Sequence, residues 1–120
     1  MKKQVESCVF CQIIDGKKSC ELLYQDDGII AFRDKYPIAP VHILIMPKRH
    51  IQGLNCITNN ELTLLKNMLV RAISLAREEN ISEAGYRVVF NCGENGGQAV
   101  PHLHLHLLGG RKLWSVRDNG

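Results

Sequence analysis

The sequence predicts an α+β fold, a mainly antiparallel sheet of about five strands with one long and one short helix. Five short stretches are rich in β-branched residues or alternate apolar and polar side chains. An Asp-Gly step separates the first two at hairpin distance. A hydroxyl and a carboxylate three residues apart then open a run of leucines at helical intervals. At 120 residues, 45% hydrophobic and 22% charged, the chain reads as one globular domain over 1–120, too short for two cores.

Residues 10–14 are a short apolar stretch closed by Asp15-Gly16, which predicts one or two helical turns. Residues 20–25 and 29–33 flank Asp26-Asp27-Gly28, whose glycine would supply the positive φ of a tight turn between two antiparallel strands. Tyr36-Pro37-Ile38-Ala39-Pro40 is turn-rich, because its prolines deny backbone donors and restrict φ. A buried strand follows at 42–46, ended by Pro47. Thr58-Asn59-Asn60-Glu61 has capping-box spacing, and Leu62, Leu65, Leu69, Ile73 and Ala76 recur at helical intervals, so the long helix is expected over roughly 60–79. Residues 86–91 read as a strand, 92–98 as a glycine-rich loop, and 101–108 as the last strand before Gly109-Gly110. Nothing repeats at a fixed period, and no linker divides the chain.

No apolar run approaches the roughly 20 residues of a membrane span, and the first six residues lead into no signal-type stretch, so a cytoplasmic protein without a membrane partner is expected. Fifteen Lys+Arg against twelve Asp+Glu give a net charge of +3, spread as the pairs Lys2-Lys3, Lys17-Lys18, Lys48-Arg49 and Arg111-Lys112. That dispersion argues against a nucleic-acid partner and suits small anionic ligands. Five cysteines without an export signal are expected as reduced thiols, which turns attention to metal binding.

Three of the five histidines stand at His102, His104 and His106. On a strand they share one face, while Leu103, Leu105 and Leu107 take the other. Same-face neighbours lie about 6.6 to 6.8 Å apart, close enough for adjacent imidazoles to touch one phosphate-sized group. Two other readings of the same pattern are a solvated polar face and a three-histidine metal centre, the latter requiring the strand to bend.

The stretch from His102 to Leu108 resembles the histidine triad pattern, in which histidine and apolar residues alternate and two apolar residues close the run. The resemblance extends from Cys8 to Trp114, takes in Phe32-Arg33-Asp34, Pro40-Val41-His42, Pro47-Lys48-Arg49-His50, Asn91 and Gly96-Gly97-Gln98, and is greatest to the Hint branch. It implies a nucleotide hydrolase or transferase acting at the α-phosphorus of a purine nucleotide, often with an amine leaving group. His104 would attack and form a covalent nucleotidyl-histidine, an intermediate that divides one hard displacement into two easier ones. His106 would bond the phosphoryl oxygens and assist the leaving group, with His102 and His42 holding His104 in its working tautomer. Asp34 would accept the ribose hydroxyls with Lys35 beside it, and Asn91, Gly97, Gln98 and Ala99 would lie against the phosphate.

The resemblance further implies a homodimer, with the long helix and the 86–91 strand as interface, and no organic cofactor. Two departures bear on selectivity. Ala99 stands where many Hint relatives carry serine, and the tail over 111–120 differs from the usual Hint ending, which reaches the partner's pocket.

Cys8-Val9-Phe10-Cys11 has the spacing by which two thiolates reach one zinc, and the resemblance supplies His50 and His102 to complete a closed structural set. The alternative is a pair of free thiols packed on a short helix. Cys20, Cys56 and Cys92 have no such spacing. Beside the enzyme stand two competing functions: a nucleotide-binding regulatory module with incidental turnover, and a metal-dependent hydrolase using the three histidines as ligands.

Overall fold

The computed structural model describes residues 4–116; the Lys2-Lys3 pair and the tail beyond Val116 lie outside them. In chain order the elements are α1 (Val9–Ile14), β1 (Leu22–Gln25), β2 (Ile29–Arg33), β3 (Val41–Pro47), α2 (Leu62–Glu78), β4 (Tyr86–Phe90) and β5 (Leu105–Gly109). The sheet order is β1-β2-β3-β5-β4, and every neighbouring pair is antiparallel. The α+β expectation thus holds in element type and number.

Period-two alternation along the central strands creates two layers. Ile29, Ala31, Ile43, Ile45, Leu105 and Leu107 pack with Met68, Ala72, Leu75 and Ala76 of α2. The intervening Ile30, Phe32, Leu44 and Met46 pack on the opposite side with Cys8, Phe10 and Cys11. One face therefore carries the main core, and the other is left for a site beneath α1. Among the described residues no helix is long and apolar enough to cross a membrane.

Three local expectations are corrected. Gly28 does not adopt positive φ. The turn is held instead by the Asp26 carboxylate, which accepts from Gly28 N–H at 2.8 Å and Ile29 N–H at 2.9 Å. The Thr58–Glu61 box forms, with Thr58 N–H donating to Glu61 Oε1 at 2.8 Å, but it caps a 3-10 turn, Asn59–Glu61, that precedes α2. The buried stripe of α2 runs through Met68, Ala72, Leu75 and Ala76, while Leu62, Leu69 and Ile73 are exposed. Leu64 and Leu65 pack against the same core, and the small Ala72 and Ala76 let the helix approach the sheet. The last strand begins at Leu105, because Leu103 N–H donates to Ile51 O at 2.6 Å and His102 N–H to Val100 O, both outside the ladder.

Candidate active site

His106 sits in β5 opposite Leu44 and Val89, on the face beneath α1. His42, opposite Leu108, is its diagonal neighbour across the same pair of strands. His104 lies just ahead of β5, its ring centroid 4.9 Å from that of His106. Phe10 of α1 meets His104 edge-on at 5.0 Å and His102 at 5.9 Å. The three triad rings therefore do not form one row. His104 and His106 share a cleft, while the His102 ring turns to a cluster of thiols.

Unambiguous backbone partners assign the protons on these rings. His104 Nδ1 lies 2.7 Å from His102 O, so this nitrogen carries the proton and donates. Its Nε2 is left with a lone pair, has no hydrogen-bond partner among the described residues, and is not sealed from the cleft that His104 lines. Ile38 N–H donates to His42 Nδ1 at 3.1 Å, which places the His42 proton on Nε2. That nitrogen is 2.9 Å from His106 Nδ1 and 3.2 Å from Asp34 Oδ2. His106 Nδ1 is thus an acceptor, and His106 carries its proton on Nε2. His42 orients His106, and the His102 carbonyl, in place of its ring, orients His104.

Burial keeps these rings neutral. Desolvation lowers His104, against a smaller upward pull from its bond to His102 and from Asp34. It lowers His106 to about 4, aided by His104 and His42. His42 is lowered too, with Asp34 opposing. An unprotonated Nε2 open to the cleft, on a ring that burial keeps neutral, is what a nucleophile requires at neutral pH.

The cleft, of about 960 Å³, has an apolar wall that includes Val9, Phe10, Ile13 and Phe32, and a polar end with Asp34, His104 and His106. Of the expected nucleotide residues, Asp34, Lys35 and Ala99 line it. Asn91, Gly97 and Gln98 are not among its lining residues. The Asn91 amide donates to Gly96 O at 2.8 Å, and the Gln98 amide donates to Gln52 O at 2.8 Å and Val100 O at 3.0 Å. The N–H groups of Gly97 and Gln98 likewise bond within the loop, to Glu94 O and Gly93 O. These residues build the loop. Sequence reasoning missed the Ile38 N–H and the edge-on packing of Phe10 against His104. The available signal for the wall was the four-residue spacing of Val9 and Ile13 on a helix that also carries Phe10.

Cys8, Cys11, His50 and His102 converge, with one donor atom from each lying within 4.8 Å of the others. The S to N separations are 3.5 Å (Cys8–His102), 3.6 Å (Cys11–His102) and 3.3 Å (Cys11–His50). Tetrahedral zinc, with Zn–S of about 2.3 Å and Zn–N of about 2.0 Å, places S and N about 3.5 Å apart. His102 Nε2 donates to Pro47 O at 2.9 Å, which turns an unprotonated Nδ1 toward the sulfurs. The donor set and its outer shell both fit a closed site. Asp34, His42 and His106 also converge, but they fit an ion poorly. Ligation through His42 Nε2 would move its proton onto Nδ1, against the Ile38 N–H. Nor do His102, His104 and His106 together form an ion site among the described residues.

Residues 7–116 match the family described as "Scavenger mRNA decapping enzyme C-term binding". The chain is 43% identical over 108 residues to the purine nucleoside phosphoramidase of Escherichia coli K12, covering 90% of this chain and 91% of that one. It is 47% identical over 105 residues to a HIT-like protein of Buchnera aphidicola, covering 88% and 94%. Among solved structures, a HIT family hydrolase from Legionella pneumophila superposes with a TM-score of 0.89 at 47% identity, over 92% of this chain and 98% of that one. A histidine triad protein from Clostridium difficile superposes at 0.90 with 39% identity, over 94% and 98%.

Proposed function

Since the chain belongs to the histidine triad family, we propose that it hydrolyses purine nucleoside phosphoramidates, or related adenylates, at the α-phosphorus through a nucleotidyl-His104 intermediate. The observation that carries this reading is the His104 ring, with its Nδ1 proton tied to a carbonyl and its Nε2 lone pair open to the cleft. The purine takes the apolar wall of Val9, Phe10, Ile13 and Phe32. Asp34 receives the ribose: its carboxylate already bonds Tyr36 N–H and faces His42, yet retains lone pairs for hydroxyls. Lys35 and Ala99 lie along the same cleft, and Asn91, Gly97 and Gln98 act by shaping the loop that ends at Ala99.

In the first half-reaction the His104 Nε2–P bond forms as the P–N bond breaks. The departing amine leaves with a proton taken from solvent, while His106 Nε2–H donates a hydrogen bond to a phosphoryl oxygen at the polar end of the cleft. In the second, water attacks phosphorus, the N–P bond breaks, His104 returns to its neutral form, and the proton lost by water goes back to solvent. His42 keeps the His106 proton on the nitrogen that needs it.

Cys8, Cys11, His50 and His102 would hold zinc, whose contribution is structural cross-linking of the N-terminal segment to the sheet. A homodimer is also part of this reading. Leu62, Leu69, Val70 and Ile73 leave an apolar face on α2, and β4 is an edge strand whose Tyr86 is exposed. The reaction is tested with adenosine 5′-phosphoramidate. Wild-type protein should turn it over many times, and His104→Ala should lose turnover while still binding AMP. Binding without turnover in the wild type would favour a regulatory module instead.

A further inference from the structure

We propose that an ion held by Cys8, Cys11, His50 and His102 and a nucleotide in the cleft bind cooperatively, coupled through α1. The inference rests on the zinc and nucleotide readings above and goes beyond both, since each treats its site alone. Helix α1 has six residues, too few to be stable by itself. Three of them, Val9, Phe10 and Ile13, line the cleft. Cys11 lies among them, and Cys8 caps the helix, its Sγ accepting from Cys11 N–H at 3.4 Å. One short element therefore supplies a wall of one site and half the ligands of the other.

The attachment of that wall is uneven. Among the described residues, the hydrogen-bond-range contacts from residues 8–14 to the sheet layer and its flanking loops run through the two sulfurs, to His50 and His102. The remaining hold is apolar packing. Removing the ion therefore leaves α1 free to open locally. His102 is anchored separately: it is fully buried and its Nε2–H stays on Pro47 O. Its carbonyl continues to hold His104. Ion loss should weaken nucleotide binding more than it slows the chemical step. A second cavity of about 530 Å³, lined in part by Ser7, Cys8, His50 and Gln52, opens beside the ligand set and shares Val9, Ala99 and Val100 with the nucleotide cleft. It offers an ion or a chelator a path that a bound nucleotide would stiffen from the other side.

Coupling of this kind is reciprocal, and typical values run from about 5-fold to 150-fold. The test uses the full-length chain, zinc and AMP. Zinc content is fixed by native mass spectrometry, AMP affinity by calorimetry, α1 mobility by hydrogen exchange, and zinc release by transfer to a chromophoric chelator. The expected result is an AMP Kd raised at least about fivefold in chelated protein, faster exchange over residues 8–14, and zinc release from loaded protein slowed by saturating AMP. An unchanged AMP Kd in folded, zinc-free protein would overturn the coupling. If chelated protein does not fold, zinc release from the loaded form decides alone, and indifference to AMP overturns the proposal. Failure to bind zinc at all is a separate outcome, which overturns the metal reading and the coupling with it. Failure to bind AMP in loaded protein is likewise separate, and overturns the nucleotide reading and the coupling with it.

Discussion

Replacing His42 with phenylalanine probes the proton arrangement most sharply, because a planar aromatic ring is kept while both nitrogens vanish. His42 is 5% exposed. Its loss strands the Ile38 N–H, now 3.1 Å from Nδ1, and the His106 Nδ1, now 2.9 Å from Nε2. Ile38 is 64% exposed, so water can take its N–H; the unpaired His106 Nδ1 is worth about 1–3 kcal/mol, and the variant should lose about that much stability. The catalytic effect is smaller. One neutral hydrogen bond that fixes the His106 tautomer is worth about 1–1.5 kcal/mol, or about tenfold in kcat. KM should move by less than about threefold, since His42 is not among the residues lining the cleft. Steady-state kinetics on adenosine 5′-phosphoramidate, well below the melting temperature of the variant, reads the catalytic effect, and urea unfolding reads the loss of stability. A raised KM with unchanged kcat would place His42 in binding and refute the relay.

The remaining predictions concern acid and metal. Turnover needs neutral His104, whose pKa burial places below the usual 6.5; the acid limb of kcat/KM should therefore lie below pH 6.5, and a limb at or above it contradicts the assignment. His106 is about 4 in the folded protein against 6.5 in the unfolded chain. Its neutral form is favoured by folding, so stability is complete above pH 6.5 and is lost as pH falls from there toward 4, by up to about 1.4 kcal/mol per unit. Urea melts at several pH values across that window check the sign. Chelation of the zinc-loaded protein should lower Tm while kcat of the still-folded fraction stays within about threefold, and loss of kcat at unchanged Tm would make the ion catalytic.

Much of the site was legible because its signals are local. The alternation of His102, His104 and His106 with leucine survives in the fold: Leu103, Leu105 and Leu107 all enter the core under α2. The two-residue gap between Cys8 and Cys11 likewise foretold their convergence. What depends on register was not legible. The pairing of His42 with His106 is a diagonal across β3 and β5, and no spacing within one strand encodes it. The turn of His102 toward the thiols was expected from the family resemblance; its backbone cause, residues 101–104 leaving the ladder to bond Ile51 and Val100, was not. Helix α2 is apolar on two sides, so helical spacing predicts the helix without saying which side meets the sheet; the small Ala72 and Ala76 and the flexible Met68 decide that, while Leu62, Leu69 and Ile73 are exposed. At Gly28 the Asp26 carboxylate fixes the turn, so the glycine carries less of it than its type suggests.

Everything in the proposed reaction passes through one bond, from His104 Nε2 to phosphorus. Rapid mixing with adenosine 5′-phosphoramidate, acid quench and intact mass spectrometry should reveal a protein heavier by one adenylyl group, with peptide mapping placing it on His104. Multiple turnover with an adduct on another residue, or with water oxygen delivered to phosphorus at inverted configuration and no adduct, would contradict it.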